Sequence, residues 1–389
     1  MKTTALTFML TAAGLTSLAQ SVTISVKNPT SVQRHEVIAI ETSRLGLPAP
    51  ICQDSLTVLD AFGVEKPHQL TSDGQLLVYA SVRPNGEAHY TVKSSPSQAQ
   101  EYFVYGRLHP ERLDDIAFEN DRIGYRVYGP ALQQQGERGF GIDVWLKRSP
   151  SQVLDTLYAR DKRGEESFHI DHGLGMDCYG VGPTLGCGTP ALIGGDGNLC
   201  FPWCYATYQI LDNGPLRFRV QLDFLPTAAA GSNAVTEHRL LTLDRGSNFC
   251  RQTVWYDGLS HPTDLAAGLV IHTADTTSLS LGQNRITYAD PTVDPEHHQC
   301  QVYVAVAFPY GVDDTRKIMY AQPEGGISGH AIGVMRGLTD NKPVTYYFGA
   351  AWSDYDVRSL AEWQLRTDLL ITCIQHPLVV TIQKHSVSK

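Results

Sequence analysis

Residues 111–132 read E-R-L-D-D-I-A-F-E-N-D-R-I-G-Y-R-V-Y-G-P-A-L, 141–148 read G-I-D-V-W-L-K-R, and 168–188 read F-H-I-D-H-G-L-G-M-D-C-Y-G-V-G-P-T-L-G-C-G. The first two segments alternate. In 122–128, Ile123, Tyr125 and Val127 fall on one face of an extended strand, and Gly124, Arg126 and Tyr128 fall on the other. In 143–147, Val144 and Leu146 share a face, while Asp143, Trp145 and Lys147 share the opposite one. The apolar faces predict strands that pack on a core by one side. The other faces mix cation, aromatic ring and acid. Such a face suits a sugar, because a ring packs on the C–H face of a pyranose and charged groups hydrogen-bond its hydroxyls or pair with a carboxylate.

The same alternation extends outward. V-T-I-S-V, H-E-V-I-A-I, S-L-T-V-L-D and L-L-V-Y-A-S-V follow one another before residue 95, with turns at Ser72-Asp73-Gly74 and Pro84-Asn85-Gly86. S-S-P-S-Q-A-Q at 94–100 reads as a linker. Beyond it, Leu216, Phe218, Val220 and Leu222 alternate with Arg217, Arg219, Gln221 and Asp223, and further strands are expected near 268–272, 301–308, 330–336 and 345–352. A single helix is expected at 357–374, and a last strand after Pro377. The expected fold is mainly β and antiparallel, with a small N-terminal β-sandwich over 20–100 and a larger β domain over 101–389.

Residues 1–19 have the form of a signal peptide. Lys2 opens it, 5–15 are largely apolar, and Ser17-Leu18-Ala19 are suited to cleavage after Ala19. An exported protein, periplasmic or secreted, with no membrane span is expected. Eight cysteines follow, and the spacing makes Cys178–Cys187 and Cys200–Cys204 bridges conceivable. The formal net charge of −9 argues against a nucleic-acid partner, which would want a basic face. The oligomeric state is not legible.

G-V-G-P-T-L-G at 180–186 lacks the spacing of a nucleotide loop, and no nucleophile elbow or H-E-x-x-H occurs. No cofactor is expected; His169, Asp171, His172 and Asp177 are the grouping to weigh for a divalent metal. Were the sugar a uronate, elimination or epimerisation at C5 would need a cation on the carboxylate, a base and an acid, whereas a mutarotase-like reaction needs only an acid and a base across the anomeric centre. Arg126, Lys147 and Arg148 are candidates for the cation. His172, His272, His330, Tyr128 and Tyr179 are candidates for the proton transfers. A hydrolase would instead use two carboxylates, and Asp114, Asp115, Glu119, Asp143 and Asp171 are available. Trp145, Asp143, Glu119 and Tyr179 complete the expected sugar-contacting set. Arg126, Trp145, Lys147 and His172 are expected to line one cleft. A non-catalytic sugar-binding protein would need the same cleft without the proton-transfer pair.

The quoted segments, together with N-G-P-L-R (213–217) and Y-Y-F-G-A-A-W-S (346–353), resemble the DUF4861 family of exported proteins typical of polysaccharide-utilising Bacteroidetes. The resemblance implies a galactose-mutarotase-like β-supersandwich and genomic company with enzymes of pectin and other uronate polysaccharides. It carries no catalytic assignment. The family tends to place an acidic residue where this chain has Leu174.

Overall fold

The computed structural model describes residues 21–47, 50–291 and 300–384. The expected signal peptide lies outside them. Every strand-to-strand ladder is antiparallel, as expected of a mainly β protein.

Two small sheets face each other at the N-terminal end. One orders Val379–Lys384, Ser21–Lys27, Glu87–Ser94 and Leu56–Asp60; the other orders Arg34–Glu41, Gln75–Val82 and His68–Leu70. Val22, Ile24, Val58 and Val92 from the first meet Ile38, Ile40, Leu76 and Val78 from the second in one core. The last strand of the chain thus completes the first sheet, with Val22 opposite Lys384 and Lys27 opposite Val379. We propose a boundary near residue 100, which this last strand crosses.

Three larger sheets form the rest. A nine-stranded sheet runs from Thr207–Asn213 at one end to Ser280–Gly282 at the other. A five-stranded sheet orders Gly175–Met176, Asp143–Lys147, Gly124–Val127, Asp115–Glu119 and Tyr105–His109. A second orders Leu199–Cys200, Cys187–Ile193, Thr263–Ile271, Ile327–Leu338 and Asp314–Glu324. Phe118, Tyr125, Val144 and Leu146 of the first, and Leu265, Ala267 and Leu269 of the second, share a core with Phe218, Val220, Leu241 and Phe348 of the nine-stranded sheet. This is two-layer packing of sheet on sheet.

The helix Leu360–Gln375 starts three residues later than expected. Ser359 is its N-cap: the hydroxyl accepts from Glu362 N at 3.2 Å, and the Glu362 carboxylate accepts from Arg358 N at 2.8 Å. Its Trp363 stacks on Phe249, 5.0 Å between ring centroids, covering the outer face of the nine-stranded sheet.

A second helix, Leu154–Lys162, was not expected. It has little amphipathic patterning, and its free N–H groups are capped from a distant strand. The Glu119 carboxylate accepts from Val153 N and Leu154 N, each at 2.9 Å. The helix lies on the outer face of the first five-stranded sheet, where Leu154, Leu157 and Tyr158 pack with Ala117, Trp145 and Phe168. Among the described residues no helix is long and apolar enough to cross a membrane. None of the eight cysteines is in a disulfide, so the two conceivable bridges are not formed; Cys187 is buried in the core and Cys178 is only partly buried.

Candidate functional site

Strand register brings the first charged pair together. Asp143 stands directly opposite Arg126 on the neighbouring strand. On that face Arg126 Nη2 donates to Asp143 and, at 2.8 Å, to Asp177 Oδ2. Asp115 lies 3.7 Å from Arg126 Nη1. All four side chains are buried, so one guanidinium is set among three carboxylates. Tyr128 adds its hydroxyl to Asp143 at 3.1 Å.

Arg126, with Arg112 nearby, does not compensate the burial of Asp115 and Asp177. Burial, with Asp143 close by, raises Asp177 well above the usual carboxylate range, despite Arg126. Burial pushes Asp115 up to about 6, with Asp143 adding to the rise and Arg126 opposing it. The surroundings therefore favour carboxyl groups that carry a proton, which can then be donated.

These groups open onto a cavity of about 420 Å³, lined also by Arg112, Arg138, His169, Tyr179 and the 180–182 segment. Polar atoms stay uncommitted there: Asp115 Oδ1, Arg112 Nε, and Nε and Nη1 of Arg126 are buried without a hydrogen-bond partner. Arg112 lies over the Phe168 ring at 5.5 Å. Arg138 lies over Phe140 and Trp203 at 5.1 and 5.8 Å. His169 is exposed, and its Nδ1 sits 2.9 Å from the Asp177 backbone carbonyl. A carbonyl only accepts, so Nδ1 is the donor and Nε2 keeps its lone pair in the neutral ring.

The backbone at this site is strained. Leu113 and Asp114 both have positive φ, 55° and 60°, between Arg112 and Asp115, at a cost of order 1–3 kcal/mol each. Gly129 permits the turn, since a Cβ there would sit 2.0 Å from the Asp114 carbonyl oxygen.

The structure divides the expected residues. Arg126, Tyr128 and Tyr179 line the cavity, with Asp143 bound to Arg126 behind it. Trp145 and Lys147 do not, which corrects the expected cleft. Trp145 is fully buried against Tyr158 and Phe168 beneath the unexpected helix. Lys147 is fully buried in an ion pair with Glu119 at 2.6 Å, and the remaining contacts of Glu119 cap that helix. His172 is exposed and stands outside the cavity. Asp171 turns to Arg148 and to the N–H groups of Gly173 and Gly175; burial pushes its carboxyl up, but these bonds outweigh that and hold it below its usual range. Arg148 is further tied to Asp354 at 2.6 Å and lies over Trp352 at 4.6 Å.

His272 faces an adjoining cavity of about 490 Å³ on the far side of 180–182, held by Asp290 at 2.8 Å and the Gly180 carbonyl at 2.7 Å. His330 is buried elsewhere: its Nε2 accepts from Leu185 N at 3.2 Å and Tyr320 contacts its Nδ1 at 3.1 Å. Burial drops its pKa to about 4, with His272 adding to the fall. The weighed metal set is dispersed, with Asp171 on Arg148 and Asp177 on Arg126. Among the described residues no three His, Cys, Asp or Glu side chains are arranged to hold a metal ion. Arg112 and Arg138 line the cavity without having been singled out from the sequence, and Asp177 was weighed only as a metal ligand. Arg112 and Asp115 stand in the opening E-R-L-D-D, where the density of charge was the available signal.

Residues 26–380 match the sequence profile of a family described as "Domain of unknown function (DUF4861)". The chain is 27% identical over 381 residues to "Uncharacterized protein P7" of Formosa agariphila, covering 92% of this chain and 93% of that protein. Among solved structures it resembles an alpha-mannosidase from Enterococcus faecalis V583, with TM-score 0.53 and 11% identity, over 95% of this chain and 46% of the other. A protein in glycosyl hydrolase family 38 from Enterococcus faecalis gives TM-score 0.52 and 9% identity, over 95% and 48%. The chain spans about half the length of those two proteins, and at such identity the likeness is one of fold.

Proposed function

The chain belongs to the DUF4861 family, and from that premise we propose that it is a carbohydrate-active enzyme that uses acid/base chemistry on uronate-containing oligosaccharides. The observation that carries this reading is the Arg126 cavity, where Asp177 is raised by burial and the uncommitted Nε of Arg112 lines the same space. The fold shared with an alpha-mannosidase is compatible with a sugar substrate.

Arg126 is engaged by carboxylates, so the cations left for a substrate carboxylate are Arg112 and Arg138. A protonated Asp177 reduces the negative charge of the cavity and favours an anionic ligand. His169 Nε2 is the base for the C5 proton, and the Asp177 carboxyl is the acid for the leaving oxygen. The two groups are held together through the Asp177 backbone carbonyl.

A second reading, glycoside hydrolysis, is favoured by one observation: Asp115 and Asp177 both line the cavity. Incubation with saturated and unsaturated uronate oligosaccharides distinguishes the readings. Elimination gives the absorbance of an unsaturated uronate together with new reducing ends; hydrolysis gives reducing ends alone. Asp177→Asn should remove turnover and retain binding. Binding without turnover of any uronate oligosaccharide would leave a sugar-binding protein instead.

A further inference from the structure

A third cavity, of about 540 Å³, lies among the strand Arg34–Glu41, the turn between Ser232–Asp244 and Phe249–Asp257, and the helix Leu360–Gln375. Six arginines line it: Arg34, Arg122, Arg217, Arg245, Arg251 and Arg366. Two carboxylates, Glu36 and Asp244, line it with them. In a chain of formal net charge −9 this is a local reversal of sign, and it shares no lining residue with the Arg126 cavity.

Four of the arginines are spoken for. Arg34 pairs with Glu36 at 2.7 Å, and Arg217 grips Asp244 with two bonds of 2.6 and 2.7 Å. Arg122 and Arg366 share Asp356 at 2.9 and 2.6 Å, and Arg366 also reaches Glu362 at 3.4 Å. Asp121, close by, gives an oxygen to Gly246 N at 2.7 Å. Arg245 and Arg251 have no carboxylate partner among the described residues. Arg245 lies over two rings, 3.8 Å from the centroid of Phe103 and 4.8 Å from that of Tyr79, and its Nε is buried without a partner. Ring contact on its faces fixes a guanidinium while leaving its edge of donors free. Arg251 lies toward the Tyr347 hydroxyl.

Part of the lining is apolar: Leu369, Leu370 and Ile374 of the helix, which also carries Arg366, and Pro377 after it. Bare inorganic ions have no use for such a lining, whereas the carbon frame of an organic anion does.

We propose that this cavity is a second ligand site, which takes a small organic polyanion carrying at least two oxyanion groups, with Arg245 and Arg251 as the donors that meet it. Carboxylates of an oligosaccharide and phosphates of a small ester present the same chemistry to these arginines. The site is independent of the reading given to the Arg126 cavity.

Calorimetric titration of the full chain with trigalacturonate, with fructose 1,6-bisphosphate and with neutral maltotriose tests this. At least one anion should bind, more weakly as salt rises, and the neutral trisaccharide should not bind here. Arg245→Gln and Arg251→Gln should each weaken that binding about tenfold, whereas Arg163→Gln, at an exposed arginine paired with Glu165 and lining neither cavity, should leave it unchanged. In the wild type, bound anion should also slow phenylglyoxal labelling of Arg245 and Arg251, read by peptide mass, which serves if a variant fails to fold. The proposal is overturned if neither anion binds, if binding is lost in Arg163→Gln and kept in the Arg245 and Arg251 variants, or if the anions give no protection from labelling.

Discussion

Arg126 Nη2 stands 2.8 Å from Asp177 Oδ2, and the same nitrogen serves Asp143. The pair is buried and sits at the floor of the cavity, where water is a poor substitute for the guanidinium. Arg126→Ala leaves Asp143 without its cation and leaves Asp115 and Asp177 with Arg112 alone. Breaking a buried pair by removing one partner costs about 3–5 kcal/mol. Urea denaturation should show a loss of that size, and Arg126→Lys, which cannot bridge two carboxylates in one plane, should recover only part of it.

Lys147→Met is expected to destabilise by a similar amount, about 3–5 kcal/mol, because buried Glu119 loses its ion-pair partner. The measurement that matters is the contrast with ligand affinity. Lys147 lies outside the cavity, so Kd for an oligosaccharide should be unchanged where the variant is folded. A Kd that rises in step with the stability loss would return Lys147 to the binding surface.

Asp115→Asn should stabilise the protein at alkaline pH and have little effect in acid. The sign follows from linkage: the folded-state value, about 6, lies above the ordinary 3.8. Stability from this group is therefore complete below pH 3.8 and is lost as pH rises through 6. The span corresponds to about 3 kcal/mol at most. Thermal melts of the two proteins across pH should converge in acid and separate above pH 6.

His330 works in the opposite direction. Its value falls from 6.5 to about 4, so its contribution is complete above pH 6.5 and disappears as pH falls through 4. The cost in acid is about 3 kcal/mol. Wild-type stability should decline over that interval, with one proton taken up on unfolding removed from the titration by His330→Asn. An unchanged slope in the variant would assign the decline to other groups.

For the cavity itself, Arg112→Ala should weaken binding of a uronate oligosaccharide by about tenfold to a hundredfold, the value of one charge-assisted hydrogen bond. The same substitution should leave affinity for a neutral oligosaccharide unaltered. Equal losses on both ligands would point to collapse of the Phe168 contact rather than to loss of charge recognition.

Alternation told which residues share a face but not what covers it. Tyr125, Val127, Val144 and Leu146 reached the core as expected, and Arg126 met Asp143 across the ladder. Trp145 and Lys147 were on the expected face as well, yet Leu154–Lys162 closes over Trp145 and Glu119 takes Lys147 into a buried pair. That helix starts where Glu119, thirty-odd residues upstream, supplies its cap. Such a signal is tertiary, and no local window contains it. The exposed His172 and the cavity-lining His169 are three positions apart in a glycine-rich loop, where no periodicity decides direction. The late helix was legible because Leu360, Trp363, Leu370 and Ile374 recur near helical spacing, which is a local signal, whereas its Ser359 cap was not read and its start was placed three residues early.

Ser21–Lys27 pairs on one side with Glu87–Ser94 and on the other with Val379–Lys384. A chain made from its N-terminus therefore carries this strand with one edge bare until nearly the whole sequence has been synthesised. Its unsatisfied N–H and C=O groups can recruit the wrong partner throughout that time. Closing the sheet demands a contact between distant parts of the chain, which slows folding. The N-terminal sandwich is first to appear and last to be sealed, and unfolding that begins by peeling off the final strand reopens the same edge to aggregation.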